Sequence, residues 1–212
     1  MRRSPACPAA GGWNFPADPA VSALTAAPLW RPQLFPATVI VTAAPKGFGA
    51  PPLPDPLASS FSVSTADGLH AIMADDLGDH RIWFPHGEQP ASTAFLIPRD
   101  GHFLWRIRSA LRLHRLLGGQ TSGRWPREQR LTRFQFHRAS LMLRAWDGVA
   151  SGASRRHFAS VILNPDVATL RALDGKNAPE RRRLARILKA ARETIDGGYL
   201  RWLVPRSRRP ES

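Results

Sequence analysis

Proline placement divides this chain into two parts that must fold differently. Twelve of its 20 prolines lie within residues 1–60, and a proline inside a helix removes a hydrogen bond and clashes with the preceding turn. Long helices are therefore excluded from that part. After Gly101 the apolar residues recur with the period of an amphipathic helix, about 3.6 residues. The sequence thus predicts extended structure first and helices second.

Five short segments of the first part have the composition of β-strands. They are β-branched or aromatic, or alternate apolar with polar residues, and turn residues such as Asp67-Gly68 separate them. The segments are 37–43, 60–64, 69–73, 81–84 and 94–97. They predict a small, mostly antiparallel sheet of four or five strands, preceded by an extended arm in residues 1–36 that packs its aromatic side chains on another part of the protein.

Four helices are predicted in the second part, at 103–117, from about 130 to 150, at 154–163 and at 179–195. The apolar face of the first is predicted to consist of Phe103, Ile107, Ala110, Leu111, His114 and Leu117. That of the second consists of Phe136, Ala139, Met142, Leu143, Trp146 and Ala150.

The predicted fold class is therefore α+β, with an N-terminal extended arm and small antiparallel β-sheet followed by an all-helical C-terminal half that contains a helix-turn-helix variant. We expect a proline-rich arm and sheet at 1–100, a helical, DNA-binding-like domain at 101–205 and a basic tail at 206–212.

Positive charge is concentrated in the helical part. Residues 1–100 carry six Lys and Arg against eight Asp and Glu, whereas residues 101–212 carry 24 against eight, for a total net charge of +14. A coding bias toward arginine would spread the charge evenly. Clustered cations favour a polyanion partner, and nucleic acid is the first to consider.

Metal and enzyme chemistry find little support in the sequence. The single cysteine, Cys7, provides neither a disulfide nor a metal cluster, and the seven histidines show no metal-ligand spacing. Asp75, Asp76, Asp79 and His80 are close together, but the segment is typical of a hairpin turn. We expect no cofactor, no bound metal and no catalytic site.

No signal peptide or membrane helix is predicted either. Prolines and glycines interrupt the segment after the basic start, and no apolar run approaches the roughly 18 residues that a membrane helix needs. The sequence therefore predicts a cytoplasmic protein that does not bind membranes.

The block Gly-Ala-Ser-Arg-Arg-His-Phe-Ala at 152–159 has the order of a helix-turn-helix unit. A glycine turn comes first, Ser154 is placed to cap the next helix, and Phe158 with Ala159 permits close helix crossing. An ordinary helical hairpin explains these eight residues equally well.

The last helix favours DNA binding more strongly. At 100° per residue its apolar residues share one side, while Arg182, Arg186 and Lys189 cluster on the opposite one. Only Glu180 and Glu193 are acidic between Pro179 and Ile195. Because arginine can read guanine edges with two hydrogen bonds, this helix is the predicted recognition helix.

Short blocks in residues 101–203 occur in the same order in a known family. They are Leu-Arg-Ala-Trp-Asp-Gly at 143–148, the block at 152–159, the arginine-rich helix at 181–192 and Gly-Gly-Tyr-Leu at 197–200. With them, the region resembles the proteobacterial domain of unknown function two-two-eight-five, found in regulators carried by integrative and conjugative elements and other mobile DNA. The resemblance implies a variant helix-turn-helix domain that activates transfer genes or, in short members, opposes such an activator by binding it.

The sequence thus predicts a cytoplasmic transcription regulator of mobile-element or conjugative-transfer genes that binds double-stranded DNA. The alternative is a non-enzymatic interaction protein, a co-activator or antiactivator, that binds another transcription regulator or RNA polymerase. The sequence leaves open whether the protein is an activator or an antiactivator, which operator it binds and how many subunits it forms. The predicted DNA-binding residues are Arg155, Arg156, Arg181, Arg182, Arg183, Arg186, Lys189 and Arg192.

Overall fold

The computed structural model describes residues 29–54, 61–152 and 179–205. Their contacts form two compact units, one with the described residues up to Gln129 and those from Leu203 onward, the other with Arg130–Trp202. The first unit contains a sheet followed by one long helix, and the second is helical. The predicted α+β class, with the sheet preceding the helices, is confirmed.

A five-stranded sheet is the centre of the first unit. Its strands are β1 (Thr38–Ala43), β2 (Ser62–Thr65), β3 (Gly68–Met73), β4 (His80–Phe84) and β5 (Thr93–Leu96), in the order β2-β3-β4-β1-β5. Three of the neighbouring pairs are antiparallel as predicted, but β1 and β4 run parallel, with Val39 opposite Ile82. The sheet is therefore mixed, and the prediction of a mostly antiparallel sheet is confirmed except for the β1–β4 pair.

The central position of β1 follows from its composition. Thr38, Val39, Ile40 and Val41 are all buried. A strand buried on both faces is typical of the middle of a sheet and of parallel pairing, because each face is covered by another layer.

Helix α1 (Phe103–Leu117) covers one face of the sheet. Leu113 and Ala110 join the core of the first unit, which also contains Val39, Val41, Leu53, Ala71, Ile82 and Phe84. On the other face, the guanidinium of Arg81 lies over the ring of Phe35 at 5.5 Å from its centroid. One aromatic side chain of the predicted arm thus packs on the sheet. The rest of the arm before Leu29 lies outside the described residues.

The buried face of α1 differs from the predicted one. Its buried residues are Arg106, Ser109, Ala110, Arg112 and Leu113, while Phe103, Leu111 and His114 are exposed. The prediction of the face was therefore partly wrong. It included apolar residues and His114 but no arginine, whereas Arg106 and Arg112 are buried here and hydrogen-bonded.

The second unit contains α2 (Arg133–Ala150) and α3 (Pro179–Glu193), followed by a π-helical turn at Thr194–Gly198. The short helix α4 (Leu200–Leu203) comes next. No helix within the described ranges has both the length and the apolarity that crossing a lipid bilayer requires.

Candidate nucleic-acid interface

Helix α2 begins at a capping box. The side chain of Thr132 accepts a hydrogen bond from the backbone N–H of Gln135, and the Gln135 side chain accepts one from the backbone N–H of Thr132, at 2.9 Å. Two N–H groups that the helix itself cannot satisfy are thereby paired. This capping box fixes where α2 starts.

Helices α2 and α3 pack through small and flexible side chains. Met142 and Ala145 of α2 and Leu184 and Ala191 of α3 are buried. The hydroxyl of Thr194 lies 3.9 Å from the sulfur of Met142, so the packing continues past the end of α3. On α2, however, Phe136 and Leu143 of the predicted apolar face are 66% and 60% exposed.

The outer side of α3 is basic. Arg182, Arg183, Arg186, Lys189 and Arg192 are all exposed. At 100° per residue, Arg182, Arg186 and Lys189 lie within about 60° of arc, opposite the packed Leu184 and Ala191. A rigid helix therefore presents three cations in one direction, with about one turn between successive cations.

Two acidic residues lie at the C-terminal end of this basic side. The Nζ of Lys189 is 3.9 Å from Oε1 of Glu193, and the Nε of Arg192 is 3.6 Å from Oδ2 of Asp196. All four side chains are well exposed, and ion pairs of this kind contribute at most about 1 kcal/mol. Both cations can therefore exchange their partners for a phosphate at little cost.

A groove of about 340 Å³ lies between α2 and α3. Its lining consists of Phe134, His137, Arg138, Leu141, Met142, Arg183, Arg186, Ile187 and Ala190. Three arginines and a histidine thus border an apolar floor, and among the described residues no carboxylate lines it.

Most of the α2 side of this groove was not predicted from the sequence. Phe134, Arg138 and Leu141 follow one another at spacings of four and three residues, which places them on one helix face. That spacing was a usable signal, but of the α2 residues that line the groove the predicted apolar face included only Met142.

Three of the predicted DNA-binding residues cannot be placed. Arg155 and Arg156 lie outside the described residues, and Arg181 belongs to α3 but its side chain lies outside the described part. Helix α2, which precedes Arg155 and Arg156 in the sequence, has a well-defined C-terminal end. The backbone N–H of Ser151 donates to the carbonyl of Asp147, and Gly152 follows with φ +83°, a left-handed conformation that favours glycine.

The acidic turn between β3 and β4 forms a polar cluster with α1. Asp75 accepts hydrogen bonds from the hydroxyl of Ser122 and the amide of Leu77, and its Oδ2 lies 3.0 Å from Nε2 of His80. Burial alone would raise the pKa of Asp75, but these hydrogen bonds hold it below its ordinary value. Arg112, at 3.5 Å, supplies the opposite charge.

His80 belongs to the same cluster. Burial lowers the pKa of His80, so the ring is neutral at pH 7 and Nε2 donates to the Asp75 carboxylate. Within the described residues, no group of three or more His, Cys, Asp or Glu is placed to hold a metal ion. Asp75 and His80 are thus structural ties in a hairpin turn.

Comparison with known families gives two matches that cover most of the chain. Residues 96–203 match the family model described as "T6SS, Transcription factor, DNA binding domain". Residues 37–95 match a domain of unknown function (DUF7012). No curated protein matches the chain by sequence. The match to a transcription factor's DNA-binding domain confirms the prediction of a DNA-binding regulator. A domain of this kind points to a regulator without catalytic activity.

Proposed function

Because the chain belongs to the family described as "T6SS, Transcription factor, DNA binding domain", we propose that it regulates transcription by inserting α3 into the major groove of DNA. The observation that carries this proposal is the division of α3 into a packed side and an exposed side with three cations in one direction. A major groove about 12 Å wide admits one such helix.

The proposed role of each basic residue, base reading or phosphate contact, follows from its position. Arg182 and Arg186 are one helical turn apart and read base edges, where the guanidinium fork can bond to O6 and N7 of guanine. Lys189, with Arg181, Arg155 and Arg156, contacts phosphates, which fixes the register of the protein on the duplex. Arg183 and Arg192 flank this line and add phosphate contacts.

We further propose that α3 is the recognition helix of a helix-turn-helix variant in a DNA-binding domain at 101–205, with the arm and sheet at 1–100 and a basic tail at 206–212. The left-handed Gly152 directly after α2 supports a turn at that point. The family match that starts at residue 96 supports the first boundary. DNA in the cytoplasm is the expected partner.

Two groups of target genes follow from different observations. The residue blocks at 143–148, 152–159, 181–192 and 197–200 favour genes of conjugative transfer and other mobile DNA. The description of the matched family favours type VI secretion genes. Sequencing the fragments that the protein selects from genomic DNA distinguishes the two groups.

Titration of variants against a cognate fragment and random duplex tests the role of α3. Arg182→Ala and Arg186→Ala should each cost about 1–3 kcal/mol on the cognate fragment and relax its sequence preference. Lys189→Ala should weaken all duplexes alike and lower the slope of log affinity against log salt by about one. Arg99→Ala, an exposed arginine outside α3, is the control for lost charge.

Equal losses for Arg186→Ala and Arg99→Ala on both kinds of duplex would contradict base reading by α3. If the protein binds no genomic fragment more tightly than random DNA, the proposal of a regulator with a specific operator is wrong.

The groove between α2 and α3 favours a second candidate, an interaction protein that binds another regulator or RNA polymerase. Phe134 is 71% exposed at the edge of the apolar groove, and an apolar patch bordered by polar side chains is typical of a protein-binding site. Phe134→Ala should then weaken binding to purified RNA polymerase and leave duplex binding unchanged. Unchanged polymerase binding would exclude the polymerase as the partner of this groove.

A further inference from the structure

A second basic site lies in the first compact unit, on α1. A cavity of about 170 Å³ opens between the C-terminal half of α1 and the segment after it. It is lined by Arg108, Leu111, Arg112, Arg115, Ser122, Gly123, Arg124 and Pro126. Four of these eight residues are arginines, and no carboxylate is present among the described residues of the lining.

Arg112 builds the cavity and is not available to a ligand. Its Nε donates to the carbonyl of Gly123 at 2.9 Å, and its Nη2 donates to the carbonyl of Gly78 at 3.1 Å. The guanidinium also lies over the ring of Trp125, 4.7 Å from the centroid. Its charge faces Asp75. Arg112 therefore fixes the segment that forms one wall of the cavity.

The other three arginines surround the opening with exposed side chains. Arg108 is held over the ring of Trp105, with its guanidinium 4.7 Å from the centroid. Arg115 is two turns further along α1, and its guanidinium lies beside Gly123. Arg124 extends from the wall that Arg112 fixes. Three positive charges thus converge on a space that holds a few water-sized groups.

We propose that this cavity binds a phosphate of the DNA backbone, at a place on the duplex separate from that read by α3. Guanidinium groups bond to phosphate oxygens in pairs, and three of them around one opening favour a tetrahedral anion. The exposed Leu111 and the half-buried Pro126 give the cavity an apolar side, which a deoxyribose can contact and an inorganic phosphate cannot use. The inference rests on the DNA binding proposed above but not on the role of α3.

Salt titration with a random-sequence duplex tests the cavity. If Arg115 neutralises one phosphate, Arg115→Ala lowers the slope of log affinity against log salt by about one, and the ratio of wild-type to variant affinity shrinks about threefold between about 50 and about 200 mM salt. Arg99→Ala removes the same charge from an exposed position of the first unit and should leave the slope unchanged. Equal slopes for the two variants would overturn the proposal.

A duplex with single neutral methylphosphonate linkages locates the phosphate. One linkage should weaken wild-type binding, and the same linkage should weaken Arg115→Ala less, because the variant has already lost one of the three arginines that hold that phosphate. If every linkage weakens both proteins alike, Arg115 contacts no backbone phosphate and the proposal fails.

Two further arms separate the possible outcomes. If inorganic phosphate at constant ionic strength stabilises the wild type but not Arg115→Ala, and the two bind duplexes alike, the site is one for a free anion and the proposal is overturned. If Arg186→Ala behaves like Arg99→Ala while Arg115→Ala lowers the slope, the role of α3 fails and the cavity stands. The reverse result removes the cavity and leaves α3.

Discussion

Arg106 donates hydrogen bonds from both terminal nitrogens to the carbonyl oxygen of Pro32, at 3.2 Å, across 74 residues of sequence. The same guanidinium contacts Oδ2 of Asp100 at 2.9 and 2.8 Å. Arg106 is only 5% exposed. One buried cation therefore ties the segment before β1 to the start of α1, and these hydrogen bonds lower the pKa of Asp100.

Arg106→Met should destabilise the first unit by about 2–3 kcal/mol. The substitution keeps much of the side-chain volume but leaves the carbonyl of Pro32 and Oδ2 of Asp100 without their donors. Arg106→Lys keeps the charge and should cost roughly half as much. Urea unfolding measures both, with the exposed Arg99→Ala as the control. A loss below about 0.5 kcal/mol for Arg106→Met would show that the tie contributes little.

The limits of α1 were predictable and its orientation was not. Apolar spacing places a helix at 103–117, and α1 is Phe103–Leu117. The buried face, however, includes Arg106 and Arg112, whose partners come from Pro32, Asp100, Asp75 and the turn at Gly78. Except for Asp100, those partners are distant in sequence, so no local pattern marks the two arginines as buried. The parallel pairing of β1 and β4 was not predictable either, because the alternation of apolar and polar residues identifies strands but not which strands are neighbours.

Lowering the pH should reveal His70 as a destabilising group. It is 1% exposed, its ring stacks on Trp83, and burial lowers its pKa to about 4. Between pH 6.5 and about 4 the unfolded chain binds a proton at this ring and the folded chain does not, so stability falls as pH falls through that window. The full effect is about 3 kcal/mol, from about 1.4 kcal/mol per pH unit.

His70→Gln supplies the comparison, since glutamine does not titrate. Its free energy of unfolding, followed by chemical denaturation from pH 7 to pH 4, should lack this part of the decline. Parallel curves for the two proteins would mean that His70 is protonated in the folded state near its ordinary pKa.

Gly78→Ala should disrupt the wall beneath the arginine cavity. Gly78 has φ +113°, and a Cβ there would overlap the indole of Trp125. Strain and overpacking together should cost about 2–4 kcal/mol and shift the fluorescence of Trp125. Gly87 has φ +79° but open space around it, so Gly87→Ala isolates the backbone cost of about 1 kcal/mol. Equal losses for both variants would contradict the indole contact.

The candidate DNA-binding face was predictable where it depends on one helix. Charges on α3 follow from helical geometry, and the structure describes Arg182, Arg186 and Lys189 as exposed on the side opposite Leu184. The groove with Phe134 needs the packing of α2 against α3, and the cavity at Arg115 needs the segment after α1 to fold back on the helix. The groove is marked in the sequence only by the spacing of Phe134, Arg138 and Leu141, and the cavity is marked by no local spacing.

Glu193→Gln should strengthen duplex binding without stabilising or destabilising the fold. The carboxylate of Glu193 is 61% exposed and 3.9 Å from the amine of Lys189, and such a pair is worth less than about 1 kcal/mol to stability. Its negative charge nevertheless opposes a phosphate approaching Lys189, so its removal should raise affinity about twofold at low salt, and less at high salt. The exposed Glu88→Gln, in the first unit, controls for overall charge. In a Lys189→Ala background the gain in affinity from Glu193→Gln should shrink, since the carboxylate no longer competes for that amine. An equal gain in affinity from Glu193→Gln and Glu88→Gln would mean that the DNA does not approach the end of α3.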